Sequence, residues 1–313
     1  MRPTNILQGF HTGTDSIPYY PYTCFLALGN TVEKPAGFKH EFTSALRQSL
    51  IAYAFNIFGI AAGTIVAYFL GIFQSFPWAF IIFPPILSGR GVIGGLFCGR
   101  LGKGLHLGKV QPRLLKNNRN FYLLLHDAVD LNFKTRILMG LIAATIFTLS
   151  RSTFTPEFFS ILIVVTSTMA LSLVVISPLA IVASLLSFKH GLNPDIVLYP
   201  VESTIADLLI TLLYVGVLNV YASKGLEGQY ILASISLTLF FCTIYFITRN
   251  LREREFVKTL KESLLTIILV SIIINIAGTT FGKISEVVEE RREIYTVYPA
   301  LIDTIGDVGS IVG

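Results

Sequence analysis

Residues 48–89 read QSLIAYAFNIFGIAAGTIVAYFLGIFQSFPWAFIIFPPILSG and contain no aspartate, glutamate, lysine or arginine. A helix needs only about 20 residues to cross the hydrocarbon core of a bilayer. The stretch is therefore too long for one crossing, and the polar, proline-containing sequence Gln74-Ser75-Phe76-Pro77 interrupts it. We predict two transmembrane helices here, at about 49–73 and about 77–98.

The rest of the chain has the same character. Of its 313 residues, 53% are hydrophobic and only 14% are charged, and the mean hydropathy is +0.68. Soluble globular proteins carry about 25% charged residues, so the composition excludes an ordinary water-soluble enzyme, a disordered chain and a collagen-like chain. The net charge of +5 comes from loops between the apolar stretches, and we expect no nucleic-acid partner. The sequence predicts an all-α, polytopic membrane protein.

Eight spans account for the apolar stretches. The third has only 14 uncharged residues between Arg136 and Arg151, which is about 21 Å of helix, so it has to start before Arg136 or cross a thinned region. With the N-terminus in the cytoplasm, 18 Lys and Arg residues fall inside and five outside, as the positive-inside rule requires. We therefore expect a multi-pass protein of the cell membrane. The other spans are predicted at about 158–188, 197–222, 228–248, 263–282 and 295–313.

Two segments of the chain resemble each other. EFTSALRQSL (41–50) aligns with EFVKTLKESL (255–264), and after a one-residue shift FPPILSGRGVIGG (83–95) aligns with YPALIDTIGDVGS (298–310). Six spans separate the copies, so the two repeats are parallel. This spacing predicts a five-helix repeat, a linker helix, and the first two helices of a second repeat. We expect the chain to be part of a parent of roughly 450 residues. The predicted divisions are 1–40 (a polar N-terminal segment), 41–222, 223–254 and 255–313.

Ionisable side chains inside spans are costly, so they indicate function. Asp207 lies well inside the fifth span, and Ser203 and Thr204 precede it on the same helical face. Asp303 and Asp307 share a face of the eighth span, and two carboxylates so close need a cation. Either a metal ion or Arg90 of the second span could supply that charge. Glu202, nearer the cytoplasmic end, could be a further ligand or an acid in the first turn of its helix.

Two of these regions resemble the MgtE-type magnesium channel and transporter family. GLNPDIVLYPVESTIADLLITLLYVGVL (191–218) is similar to the family's last conserved helix, where an aspartate lies seven residues after a proline, as Asp207 does after Pro200. FPPILSGRGVIGGLFCGRLGKGLHLG (83–108) is similar to its second helix. The tandem arrangement resembles the branch related to animal solute carriers.

The resemblance implies a dimer-like pore formed within one parent chain, with Asp207 as the carboxylate that binds the transported Mg²⁺. It also implies that Pro84 and Gly91 shape a pore-lining helix. Arg90 departs from the family pattern. Its positive charge would repel a cation in the pathway unless Asp303 or Asp307 neutralises it. The expected partners are membrane lipid, a divalent cation, and either the missing second-repeat helices or another copy of the chain.

Physical chemistry agrees with magnesium, because Mg²⁺ is usually held by one or two carboxylates and several waters. Two alternatives remain at this stage. One is an intramembrane, Mg²⁺-dependent prenyl- or phospho-alcohol transferase using Asp127-x-x-Asp130 and Asp303-x-x-x-Asp307, although Lys134 stands where a third aspartate is expected. The other is a non-transporting membrane subunit. The segment FYLLLHDAVDLNF (121–133), which contains His126, is interpreted as an interfacial helix.

Overall fold

The structure is a computed structural model of the chain. It describes residues 56–113, 117–151, 156–189, 199–250, 254–287 and 291–312, together with positions 43, 46, 50 and 54. These residues belong to one compact unit, Thr43–Gly313. The predicted polar segment 1–40 lies outside the described residues.

The described residues form helices and contain no strands. A short 3-10 helix, Asn56–Phe58, leads into the first α-helix. The helices are α1 (Gly59–Tyr68), α2 (Leu70–Ser75), α3 (Pro77–His106), α4 (Arg119–Arg151), α5 (Glu157–Lys189), α6 (Tyr199–Ser223), α7 (Gly225–Asn250), α8 (Arg254–Val287) and α9 (Arg292–Val312).

Six of the described helices, α3 to α8, are long and apolar enough to cross a membrane. The chain is therefore an all-α, polytopic membrane protein, as its composition predicts. The two predicted spans outside this set are the first and the eighth. The first is divided at Phe69 into α1 and α2, and the eighth corresponds to α9.

The third span is longer than its uncharged stretch. α4 begins at Arg119 and runs without interruption to Arg151, so residues 121–133 are the first half of a long helix and not a separate interfacial helix. Two contacts accommodate the charges inside it. Asp130 and Lys134 form an ion pair at 2.7 Å, and the buried Arg136 donates to the hydroxyl of Thr243 on α7 at 3.5 Å.

The core is built around α3, which packs against α4, α5, α6 and α8. Aromatic rings fix α6 on α2 and α3: the Tyr214 ring stacks on Phe83 of α3 at 5.8 Å and meets Phe73 of α2 edge-on at 5.6 Å. The Tyr214 hydroxyl also donates to the main-chain carbonyl of Ala79 at 2.7 Å. Since Tyr214 lies two helical turns after Asp207 on the same side of α6, these contacts also set the position of Asp207.

Two glycines allow helices from opposite ends of the chain to meet at their backbones. A methyl group at Gly63 on α1 would clash with the carbonyl oxygen of Thr296 on α9, and one at Gly278 on α8 would clash with the carbonyl oxygen of Ile81 on α3. Adding 215 to the numbers of Gly63 and Ile81 gives Gly278 and Thr296. The same shift relates Pro84 to Pro299, so the two backbone contacts occupy equivalent positions in the similar segments.

Candidate cation site

One face of α6 presents a line of polar groups to the interior. Ser203, Thr204, Asp207 and Thr211 are all buried, with exposed fractions of 7% or less. Their spacing of three and four residues places them along one side of the helix. A buried polar line of this kind on a membrane helix faces neighbouring helices or water rather than lipid.

Asp303 of α9 reaches this line from the other end of the chain. The Ser203 hydroxyl donates to Oδ1 of Asp303 at 3.2 Å, and the Asp207 carboxyl lies within hydrogen-bonding reach of the Asp303 carboxyl. Both carboxyl groups are buried, 3% exposed at Asp207 and 5% at Asp303. The structure thus brings together two acids that are 96 residues apart in sequence.

Arg90 supplies buried positive charge that acts on this pair. Its side chain is 4% exposed on α3, and its guanidinium acts electrostatically on Asp303. Arg90 also lines a small cavity, with about 30 Å³ of space, between α3, α4 and α5. A cavity needs about 10–15 Å³ of such space for one water, so this one has room for about two.

Several buried oxygen atoms along these surfaces have no hydrogen-bond partner among the described residues. They are Oδ2 of Asp303, Oγ1 of Thr211 and Oδ1 of Asn132, the last of which lies beside the cavity. Buried polar atoms are almost always satisfied by protein or by ordered water. Of these atoms, Oδ2 of Asp303 belongs to the carboxylate pair, and water or a cation is the kind of partner that satisfies such an oxygen.

The other predicted site residues differ in how much the structure says about them. Pro84 is buried in α3, and Gly91 on the same helix faces open space, with nothing within 4 Å of a Cβ placed there. Glu202 and Asp307 lie in α6 and α9, but their side chains are outside the described residues. Their roles remain predictions.

The first of the two carboxylate pairs in the transferase alternative, Asp127 and Asp130, has cationic partners. Asp130 pairs with Lys134 at 2.7 Å, and Asp127 pairs with Arg100 at 3.5 Å. His126 lies on the same stretch of α4, with its ring 5.2 Å from that of Phe246. Within the described part of the chain, no group of three or more His, Cys, Asp or Glu residues is placed to hold a metal ion.

Sequence reasoning missed two residues of this region. Thr211 lies four residues after Asp207 and so continues the Ser203–Asp207 line by one turn, a periodicity that could have identified it. Asn132 donates to the carbonyl of Met169 on α5 at 3.1 Å and leaves its oxygen beside the cavity. No local pattern distinguishes Asn132, since its role depends on which helix lies opposite.

A comparison with known protein families gives a match over the helices that carry most of this site. Residues 83–217 match MgtE, a divalent cation transporter family. The match covers less than half of the 313 residues. It includes Arg90, Ser203, Thr204 and Asp207, and it supports divalent cation transport by a multi-pass membrane protein.

The region that matches MgtE ends within α6, so α7, α8 and α9 lie outside it. Asp303 therefore comes from a part of the chain beyond the match. No curated protein and no solved structure was found to be similar to the chain.

Proposed function

We propose that this chain transports a divalent cation, Mg²⁺, across the membrane, and that Asp207 and Asp303 form the carboxylate site through which the ion passes. The observation that carries the proposal is the facing pair of buried acids from α6 and α9, one of which lies in the segment that matches divalent cation transporters.

The charges at the site support a cation. Two carboxylates in contact inside a medium of low dielectric constant cannot both ionise unless positive charge compensates them. Arg90 supplies one positive charge near Asp303. When both acids are ionised, the three groups keep a net negative charge, and a divalent ion entering beside them is attracted.

The ligands suit Mg²⁺. This ion dehydrates reluctantly and is usually bound by one or two carboxylates while it keeps several waters. Oδ2 of Asp303 has no hydrogen-bond partner among the described residues and is a natural direct ligand. The hydroxyls of Ser203 and Thr211, on the same face as Asp207, are placed to bind the waters that remain on the ion.

We also propose the division into repeats, 41–222 and 255–313 joined by 223–254, with the N-terminus in the cytoplasm. The packing supports this division. α1 packs on α9, and α3 packs on α8. In the proposed repeats, α8 is the counterpart of α1 and α9 is the counterpart of α3. The first helix of each repeat therefore packs against the second helix of the other repeat. An isologous, two-fold interface requires this crossed arrangement, and the matched glycine contacts at Gly63 and Gly278 agree with it.

The repeat proposal has a consequence for the pore. In a tandem arrangement the dimer-like pathway lies between the two halves, and Asp303 from the second half faces Asp207 from the first. The remaining helices of the second repeat, or another copy of the chain, would complete the pathway. Glu202 and Asp307 are proposed as further ligands on the cytoplasmic side of the carboxylate pair, and Pro84 and Gly91 as residues that shape α3 along the pathway.

Flux measurements test the proposal. The chain is reconstituted into liposomes that contain a Mg²⁺-sensitive dye, and uptake is followed for the unmodified chain, Asp207→Asn and Asp303→Asn. We expect each variant to lose at least about tenfold in initial rate, because it removes one of the two charges that bind the ion. Parallel measurements with Mn²⁺ and Co²⁺ establish selectivity.

Glu293→Gln provides a matched control, because Glu293 is an exposed acid on the same helix as Asp303. It should keep the rate within about twofold. All variants have to elute as folded protein of unchanged size. An Asp207→Asn variant that transports Mg²⁺ as fast as the unmodified chain would contradict the proposal. An unmodified chain that neither binds nor transports a divalent cation would contradict it as well.

A further inference from the structure

A second polar pocket lies at the end of α3, away from the carboxylate pair. It encloses about 480 Å³ between the C-terminal part of α3, the connecting loop and the first turns of α4. Its polar lining consists of Arg100, Lys103, Lys109, Asn120 and Asp127. Leucine side chains, among them Leu107 and Leu124, form the rest of its wall.

The loop that carries Lys109 is held in a definite shape by main-chain contacts. The Val110 amide donates to the Gly104 carbonyl at 3.0 Å, which ties the loop back onto α3. The Lys109 carbonyl accepts from the side-chain amides of both Asn118 and Asn120. The backbone at Lys109 is thus fixed where this residue lines the pocket together with Lys103, and the pocket is a built feature of the fold.

The charge in the pocket is positive. It contains three cations and one carboxylate, and that carboxylate, Asp127, is engaged by Arg100 at 3.5 Å. Among the described residues, neither Lys103 nor Lys109 forms an ion pair. Two lysines and an arginine therefore line the same pocket, and such a cluster of cationic side chains can bind a phosphate group.

Helix geometry places the pocket at the membrane surface. Arg100 is 23 residues after Pro77, the first residue of α3, which corresponds to about 35 Å along the helix axis. A hydrocarbon core is about 30 Å thick, so Arg100 and the lysines beyond it reach the headgroup layer. The leucines of the wall lie where the first segments of an acyl chain would run.

We propose that this pocket is a binding site for a phosphate-bearing anion, with Lys103 and Lys109 holding the phosphate and Arg100 at its edge. Two sources supply such a group at this depth, the headgroup of an anionic phospholipid and free phosphate from the aqueous side. This site is independent of cation transport, because none of its lining residues belongs to the Asp207 site.

Binding measurements on the intact chain test the proposal. The chain is placed in nanodiscs of neutral phosphatidylcholine, and binding of phosphatidylglycerol is measured by native mass spectrometry and by displacement of a fluorescent analogue. Inorganic phosphate is titrated in a separate arm as a competitor. The test variant is Lys103→Gln with Lys109→Gln.

A charge-matched control exists at the same end of the bundle. Lys189 and Arg113 are both exposed and do not line the pocket. Lys189 follows Phe188, whose ring meets that of His106 at 5.3 Å, so it lies beside the end of α3. Lys189→Gln with Arg113→Gln removes the same charge from the same side of the protein.

The proposal expects affinity for the anion to fall at least about tenfold in the pocket variant and less than about twofold in the control. If the pocket variant loses phosphatidylglycerol binding, and inorganic phosphate does not compete with that binding in the unmodified chain, the lipid is the source of the phosphate group. Competition by millimolar phosphate identifies the free anion. Equal losses in the pocket variant and the control overturn it, and so does a chain that neither prefers phosphatidylglycerol over phosphatidylcholine nor binds inorganic phosphate.

Discussion

Phe80 and Tyr295 face each other with ring centroids 5.3 Å apart, and their numbers differ by 215, the shift that aligns Pro84 with Pro299. In a two-fold arrangement, a residue can touch its own counterpart only near the symmetry axis. This aromatic pair therefore marks the place where an axis relating α3 to α9 would pass. The carboxylate pair shares α9 with this aromatic pair, because Asp303 lies on the same helix as Tyr295.

The backbone contacts at Gly63 and Gly278 predict that alanine substitution at these positions destabilises the protein, the opposite of its usual effect inside a helix. Glycine to alanine inside a helix normally stabilises it by up to about 1 kcal/mol. Here Gly278→Ala should instead destabilise the protein by about 1–3 kcal/mol, because the new methyl group overlaps the Ile81 carbonyl oxygen. Gly63→Ala should behave alike.

Gly216→Ala is the matched control for these two variants, since nothing lies within 4 Å of a Cβ placed at Gly216 in α6. It should leave the thermal midpoint in detergent unchanged or raised. If the thermal midpoint of Gly278→Ala is as high as that of Gly216→Ala, the backbones of α3 and α8 are not in direct contact.

Removing Arg90 should make the protein depend more strongly on Mg²⁺. The Arg90→Gln variant leaves the Asp207 and Asp303 carboxyls without the internal cation that acts on Asp303. We expect lower stability without metal and about tenfold tighter Mg²⁺ binding, which adds about 1.4 kcal/mol to the stabilisation at saturating metal. The measurement is the thermal midpoint as a function of Mg²⁺ concentration.

Arg291→Gln, which removes an exposed arginine at the start of α9, is the control and should show the Mg²⁺ response of the unmodified chain. Adding Asp303→Asn to Arg90→Gln should abolish the extra response. An Arg90→Gln variant with an unchanged Mg²⁺ response would mean that Arg90 does not compete with the ion.

The ion pair between Asp130 and Lys134 predicts that replacing one partner destabilises the protein far more than replacing both with apolar residues. Its side chains are only 4% and 13% exposed, and removing one partner of a buried pair leaves an uncompensated charge. Asp130→Asn should therefore cost about 3–5 kcal/mol, whereas Asp130→Leu combined with Lys134→Met should cost much less. Thermal unfolding in detergent distinguishes them, and additive losses would contradict the prediction.

The Tyr214 hydroxyl offers a milder test of how α6 is positioned. Tyr214→Phe removes the hydrogen bond to the Ala79 carbonyl but keeps both aromatic contacts, so it should cost about 0.5–1.5 kcal/mol. Tyr230→Phe, at an exposed tyrosine of α7, should cost nothing measurable. A Tyr214→Phe variant as stable as Tyr230→Phe would show that packing alone holds α6 on α3.

Hydropathy predicts the later helices well. The fifth and sixth predicted spans, 197–222 and 228–248, differ from α6 and α7 by only a few residues at each end, because charges and glycine mark those boundaries locally. The interruption of the first span at Phe69 has no such signal, since neither charge nor proline stands there. Its position depends on how α1 and α2 pack against neighbours.

The site shows the same limit. The line of Ser203, Thr204 and Asp207 follows from helical periodicity alone, so it could be predicted. The contact between Ser203 and Asp303 could not, because it joins residues 100 apart through the packing of α9 on α6. Sequence could name Asp303 as an acid in need of a cation, but only the tertiary arrangement identifies which neighbours it meets.

The Gly278 contact has a consequence for biosynthesis. Pro85 of α3 is translated 193 residues before Gly278, which corresponds to a delay of roughly 10–40 s at about 5–20 residues per second. During that interval the carbonyl and proline surface of α3 around Ile81 and Pro85 has no α8 to cover it. The Asp303 half of the carboxylate pair is translated later still. The cation site therefore cannot assemble until α9 has been made, and translation speed and insertion chaperones act on its yield before any ion is bound.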